Sequence, residues 1–304
     1  MLGYRDEFRY MECSNCGCLQ LIDIPNNLAM YYPSNYYSLD DSPAIHFQGK
    51  IKSYLKSKRD YFLITGAGLL GRIIQLLYPN KSIEMPNFRK VAFKINDKIL
   101  DVGSGAGIIP YVFFNAGFKK IEGIDPFLKE DISYANGLKI SKGDFHSLTT
   151  KGWDKIMYNH SFEHLTDPQV HLQKAFDLLN EDGKCIIRIP TVSSYAWKKY
   201  GTNWVQLDAP RHIFLHSIKS LTILAENNGF EVASVSYEST AFQFLGSEQY
   251  MNNISLKGDN NSYFTGNQSL FTSVEIKNFE SLAIKVNKEQ QGDSIAVVLT
   301  KKNS

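Results

Sequence analysis

Hydrophobic and polar positions change period in a regular way between residues 97 and 240. Short β-branched runs at Lys98–Val102, Lys120–Ile124, Leu138–Ser141, Lys155–Tyr158, Lys184–Ile189 and Phe230–Tyr237 predict strands. Between them, apolar residues recur at helical intervals over Ile108–Ala116, Pro168–Leu179 and Ile218–Asn227. Gly117, Asp182-Gly183 and Asn228-Gly229 then stop the helices before the next strand. A last strand is predicted at Ser294–Leu299, after a polar stretch at 257–269 that reads as a loop. This alternation predicts an α/β fold: a doubly wound, mainly parallel sheet with helices on both faces.

The flank before that region divides in two. Residues 1–50 hold a short β-rich piece followed by a stretch rich in Tyr, Pro, Asn, Ser and Asp. Tyr31, Tyr32, Tyr36 and Tyr37 there are candidates for a lid over a site, with plain surface packing as the alternative. Residues 51–94 form a helical lead-in, with Ile51, Tyr54, Leu55, Leu69, Ile73 and Leu77 near helical spacing, and 95–304 form the main domain.

Composition narrows the function. At 304 residues, 43% hydrophobic and 21% charged, the chain can bury one sizeable core. A net charge of +2 supplies no basic field, so no nucleic-acid partner is expected. No apolar run is long enough for a membrane span, the first residues lack a secretory pattern, and a cytoplasmic location is expected.

The sharpest signal is Ile99-Leu-Asp101-Val-Gly103-Ser104-Gly105-Ala-Gly107, which ends a strand and opens a helix. Glycines allow a sharp turn and close approach of a ligand to the backbone, and the helix N-terminus offers N–H donors. Asp101 separates two cofactor classes. A carboxylate there repels a diphosphate but suits the ammonium of a methionine moiety. The Gly-x-Gly-x-Gly spacing also departs from the dinucleotide fingerprint. Asp125, followed by Pro126, ends the next strand, where an acid accepts from ribose hydroxyls. Asp144, followed by Phe145, comes after the third, where it can accept from an adenine amine. Each acid alone also reads as a loop or helix cap.

These residues resemble the class I S-adenosylmethionine-dependent methyltransferases, in particular those related to quinone and sugar methylation. The resemblance extends over residues 95–240 and includes Asn159-His160-Ser-Phe-Glu163-His164 and Asn203-Trp204 through Pro210-Arg211-His212. It implies a seven-stranded sheet with the last strand antiparallel. It places Asp101, Gly103, Ser104 and Gly105 at the methionine end, with Asn159 beside them. It places Asp125 and Pro126 at the ribose, and Asp144 and Phe145 at the adenine. The implied cofactor is S-adenosyl-L-methionine and the implied partner is a small-molecule or sugar acceptor.

Methyl transfer from a sulfonium asks the protein to align the acceptor and exclude water. An oxygen or nitrogen acceptor also has to lose a proton, and histidine suits that near neutral pH. His164 and His212, with Glu163, are the catalytic candidates; His160 ranks behind them, and capping of the next helix is the alternative for His164 and Glu163. Arg211 suits an anionic acceptor or a structural ion pair. Trp197, Tyr200 and Trp204 suit an acceptor wall or core.

Two further motifs compete for attention. Gly66-Ala-Gly68-Leu-Leu-Gly71 matches the dinucleotide fingerprint, but Pro79 and Pro86 interrupt the strand it requires downstream. It reads as a turn or packing surface; an NAD(P)-dependent oxidoreductase built on it is the enzyme alternative. A catalytically silent methyltransferase-like partner protein is the other. Cys13-x-x-Cys16-x-Cys18 resembles one knuckle of a zinc ribbon, yet falls short of the four ligands of a structural zinc, so no metal is expected.

Overall fold

The computed structural model describes residues 6–32, 42–47, 49–80, 84–257, 259–267 and 270–302. Its centre is an eight-stranded sheet in the order β10-β11-β8-β7-β3-β4-β6-β5. The strands are β3 (Ile99–Val102), β4 (Ile121–Asp125), β5 (Ile132–Ser133), β6 (Lys139–Lys142), β7 (Trp153–Asn159), β8 (Leu179–Pro190), β10 (Phe230–Tyr237) and β11 (Ser294–Lys301). β3 pairs in parallel with β4 and β7, β4 with β6, and β7 with β8. β11 runs antiparallel to both β8 and β10. Seven of these strands reproduce the expected sheet. The eighth, β5, folds back on β6 through a turn at Asn136-Gly137, a pair suited to a tight hairpin.

Each central strand is apolar on both sides because both faces are covered. Ile99, Met157, Ile186 and Val298 join one core with α1 (Lys50–Thr65) and α4 (Ile108–Ala116). Leu100, Ile156, Tyr158 and Ile187 join the other with α5 (Pro168–Leu178) and α7 (Ile218–Asn227). Short helices α2 (Leu69–Leu77) and α3 (Glu84–Asn87) precede the sheet. A third cluster packs α6 (Tyr195–Tyr200), α8 (Phe242–Met251) and α9 (Ser273–Lys288) around Trp204 and Phe244.

The N-terminal β1 (Tyr10–Glu12) and β2 (Leu19–Leu21) form a hairpin whose second strand pairs with β9 (Phe214–Leu215) in a separate three-stranded sheet. Tyr10 donates its hydroxyl to the His212 carbonyl at 2.8 Å, tying the hairpin to the segment after β8. Among the described residues no single helix is long and apolar enough to cross a membrane.

The chain winds outward from β3 through β4 to β6, then returns to β7 on the other side. Such a reversal opens a crevice at the carboxyl ends of β3 and β7, where ligands bind in open α/β sheets. The site is therefore placed by topology.

Candidate active site

The glycine loop leaves β3 and enters α4. Gly103 has φ +72°, and a Cβ on it would lie 2.5 Å from Ser161 Cβ, so a side chain there is excluded both by backbone conformation and by space. The N–H of Gly103 donates to the Ile124 carbonyl at 2.9 Å, holding the turn against β4.

Beneath this turn Asp101 is 2% exposed. Asn159, at the end of β7, donates Nδ2 to Asp101 Oδ1 at 2.7 Å. Arg188, its neighbour on β8, donates Nη1 to Asn159 Oδ1 at 3.1 Å. The same guanidinium holds Glu238 Oε1 at 2.8 Å through both Nε and Nη2. A polar chain thus crosses the carboxyl edge of the sheet from Glu238 through Arg188 and Asn159 to Asp101. Burial raises the Asp101 carboxyl to about 7, although Asn159 and Arg188 act to lower it. A carboxyl so placed is poised to ionise when a cation arrives.

Asp125 ends β4. Its Oδ2 accepts from Gly105 N and its Oδ1 from Phe127 N, each at 2.8 Å. Burial raises this carboxyl and those two bonds lower it. Pro126 fixes the turn that follows. Asp144 caps the next turn, its Oδ1 accepting from His146 N at 2.9 Å, and Phe145 behind it is buried against His171 with centroids 5.5 Å apart. The three acids stand at the ends of β3, β4 and β6, as the pattern predicts.

Facing the loop across the crevice is the turn after β7. Ser161 Oγ donates to the Val102 carbonyl at 2.6 Å, and Glu163 O accepts from Ile213 N at 2.8 Å, which joins this turn to the Pro-Arg-His segment. Glu163 is 1% exposed. Around it lie His160 Nδ1 at 3.6 Å and His212 Nε2 at 3.9 Å from Oε1, while Oε2 has no hydrogen-bond partner. Burial acts to raise Glu163, but the His160 bond and the neighbouring histidines hold it below the ordinary carboxylate range.

His164 Nδ1 sits 2.8 Å from the Arg211 carbonyl, and His212 Nδ1 sits 2.7 Å from the Gln206 carbonyl. A carbonyl only accepts, so each Nδ1 carries a proton, and in a neutral ring the lone pair then lies on Nε2. The two rings are 4.9 Å apart. Burial lowers His212 below the usual imidazole range, which keeps it neutral near pH 7. Among the described residues, Glu163, His164 and His212 are the one grouping of His, Cys, Asp and Glu whose ligand atoms all approach within 4.8 Å of one another.

Tyr32 lies over this arrangement. Its hydroxyl is 3.2 Å from His164 Nδ1 and its ring stacks on Phe127 at 6.1 Å. Tyr31 instead turns inward to donate to Asp6 at 2.6 Å; Tyr36 and Tyr37 lie outside the described residues. Arg211 is buried in an ion pair with Asp208 and faces the Tyr32 ring at 5.8 Å. Trp204 is core, donating Nε1 to Asp293 at 2.9 Å, with Trp197 at 5.9 Å and Tyr200 bonded to Glu248 at 2.7 Å.

The hexamer at 66–71 is not a nucleotide loop. Gly66 closes α1 and Gly68 opens α2, so no strand precedes it. Cys13, Cys16 and Cys18 turn a tight knuckle in which Gly17 N donates to Cys13 O at 2.7 Å, and Cys18 Sγ lies 3.8 Å from His216 Nδ1. The sequence pattern missed Arg188 and Glu238. A lone arginine within the apolar run Cys185-Ile-Ile-Arg188-Ile does signal a buried partner, but not which one.

The sheet order, the glycine turn after its first strand and the acids at successive strand ends, Asp101 and Asp125 buried and Asp144 exposed, are those of an S-adenosylmethionine-dependent methyltransferase. A model of the methyltransferase-domain family matches residues 66–235, and the chain belongs to that family. No curated protein matches. Among solved structures, the chain is similar to an S-adenosylmethionine-dependent methyltransferase from Mesorhizobium loti, at 13% identity and TM-score 0.47, over 72% of this chain and 98% of that one. It is also similar to one from Archaeoglobus fulgidus, at 18% identity and TM-score 0.45, over 76% and 99%. The acceptors fit the cofactor chemically: a buried ionisable carboxylate for an ammonium, and an acid at the end of β4 for a diol.

Proposed function

We propose that the chain methylates a small polar acceptor, a saccharide or nucleotide sugar being the class that suits it best, at a nucleophile deprotonated by the Glu163, His164 and His212 cluster. S-adenosylmethionine, when bound, supplies an activated methyl group and a good leaving group. Asp101, braced by Asn159, binds the methionine ammonium end together with Gly103, Ser104 and Gly105. Asp125 with Pro126 binds the ribose, exchanging its bonds to Gly105 and Phe127 for hydroxyl donors, and Asp144 with Phe145 receives the adenine. Tyr32 covers the crevice and excludes water.

One observation carries the catalytic part: a fully buried Glu163 oxygen without a hydrogen-bond partner, beside histidines whose Nε2 lone pairs backbone carbonyls have fixed. His164 or His212 accepts the acceptor's proton, and ionised Glu163 stabilises the imidazolium formed. The test is release of S-adenosylhomocysteine on a panel of nucleotide sugars and small polyols with wild type and Glu163→Gln. Turnover lost in the variant with cofactor binding retained supports the assignment; equal turnover in both overturns it.

The 4.8 Å grouping favours a second reading, in which a divalent ion on the same three side chains lowers the acceptor's pKa. Turnover that survives exhaustive chelation selects the acid–base reading. Turnover lost on chelation and restored by Mg²⁺, Mn²⁺ or Zn²⁺ selects the metal.

A further inference from the structure

We infer that the α1–α2 hairpin is an interfacial anchor that docks the enzyme on an anionic lipid bilayer. The two helices press together at Gly71. A Cβ there would lie 2.1 Å from the Lys58 carbonyl, so α2 is pressed against α1 by the face that carries Gly71. Residues 69, 73, 76 and 77 fall on the opposite side of the helix, with 70 on its flank. The apolar stripe of α2 therefore points away from the protein: Leu69 is 74% exposed, Leu76 76% and Leu77 81%, with Leu70 and Ile73 beside them. A short amphipathic helix ordinarily turns such a stripe toward the core. A contiguous exposed apolar surface marks an interaction site.

Charge identifies what covers it. Lys50, Lys52 and Lys58 on α1 and Arg72 on α2 are exposed on the same hairpin. The only acid in either helix, Asp60, is buried and paired with Arg59 at 2.9 Å. Exposed aliphatic residues on a hairpin whose exposed charges are all cationic match a surface with anionic headgroups over acyl chains. The two helices together have the length and apolar content of a span but are bent by 107° at the break between them, so they do not form one continuous rod. The turn Pro43–Phe47 packs on both α1 and α4, so the anchor is joined to the helix that follows the glycine loop.

Co-sedimentation of the full chain with vesicles of phosphatidylcholine alone, and of phosphatidylcholine with phosphatidylglycerol, tests the anchor. Binding is expected with phosphatidylglycerol, weakened by salt, and lowered about fivefold for each of Lys52→Ala and Arg72→Ala. Leu76→Asp with Leu77→Asp should lower it at least about a hundredfold. Calorimetric S-adenosylmethionine binding, unchanged in these variants, shows that they fold. Two results overturn the proposal: no preference for anionic vesicles, or a stable dimer in sedimentation velocity that the double leucine variant splits, which would assign the stripe to a second copy.

Discussion

Replacing Asp101 with Asn should move two observables in opposite directions. The carboxyl is raised from an ordinary 3.8 to about 7, chiefly by burial. Ionising it in the folded, cofactor-free protein therefore costs about 4 kcal/mol. Because the folded value lies above the unfolded one, the folded state holds the proton more tightly. The wild-type penalty is absent at low pH, accumulates from about pH 4 to about pH 7, and is complete above. Asparagine carries no such penalty and can still accept the Asn159 bond made at 2.7 Å. Asp101→Asn should raise the melting temperature of the free protein by about 5 °C or more near pH 8 and by much less near pH 5. Cofactor affinity should fall by about 30- to 1000-fold, since a buried pair to an ammonium is worth about 2–4 kcal/mol. Wild-type affinity should also weaken roughly tenfold per pH unit below about 7, and the variant's should not. Scanning calorimetry across pH and titration calorimetry read both effects. A stability change that ignores pH, or unaltered cofactor affinity, refutes the reasoning.

Other changes separate the roles of neighbouring groups. Glu163→Gln and His212→Asn should each lower kcat by about 10²–10⁴-fold with little change in cofactor Kd, measured by steady-state kinetics and calorimetry. Gly103→Val puts a side chain into Ser161 at a positive φ; it should cost about 1–3 kcal/mol in denaturant unfolding and abolish cofactor binding. Arg188→Met leaves the buried Glu238 without its cation, though Asn87 Nδ2 still donates to it at 3.2 Å, which should cost about 3 kcal/mol; Arg188→Met with Glu238→Leu should recover much of it.

Much of the architecture was legible because the sheet is built from residues whose period announces them. The β-branched runs, the stops at Gly117 and Asn228-Gly229 and the acids at the ends of β3, β4 and β6 fell where the chain folds them. Asp182-Gly183 did not stop a helix: α5 ends at Leu178 and the pair lies within β8, which already begins at Leu179 to pair with Trp153. What escaped notice depended on partners distant in sequence. β9 is only Phe214–Leu215, and it is a strand because Leu19 and Gln20 pair with it. α9 did carry a local signal: Thr272 and Glu275 form a reciprocal capping box at its start. The hairpin at Asn136-Gly137 likewise had its turn residues in view. By contrast, Glu238, just after β10, and Arg188 on β8 meet across the intervening β11, a neighbourhood no local period reveals. The same holds for the catalytic candidates. Glu163-His164 and Pro210-Arg211-His212 could be named separately, but their meeting rests on the bond from Ile213 N to Glu163 O.

A crystal structure with S-adenosylhomocysteine bound tests the whole assignment at once. The account expects the amino-acid amine against Asp101, the ribose hydroxyls on Asp125, and the sulfur directed toward Glu163, His164 and His212. The ligand seated elsewhere, or bound with its sulfur turned from those three side chains, would contradict it.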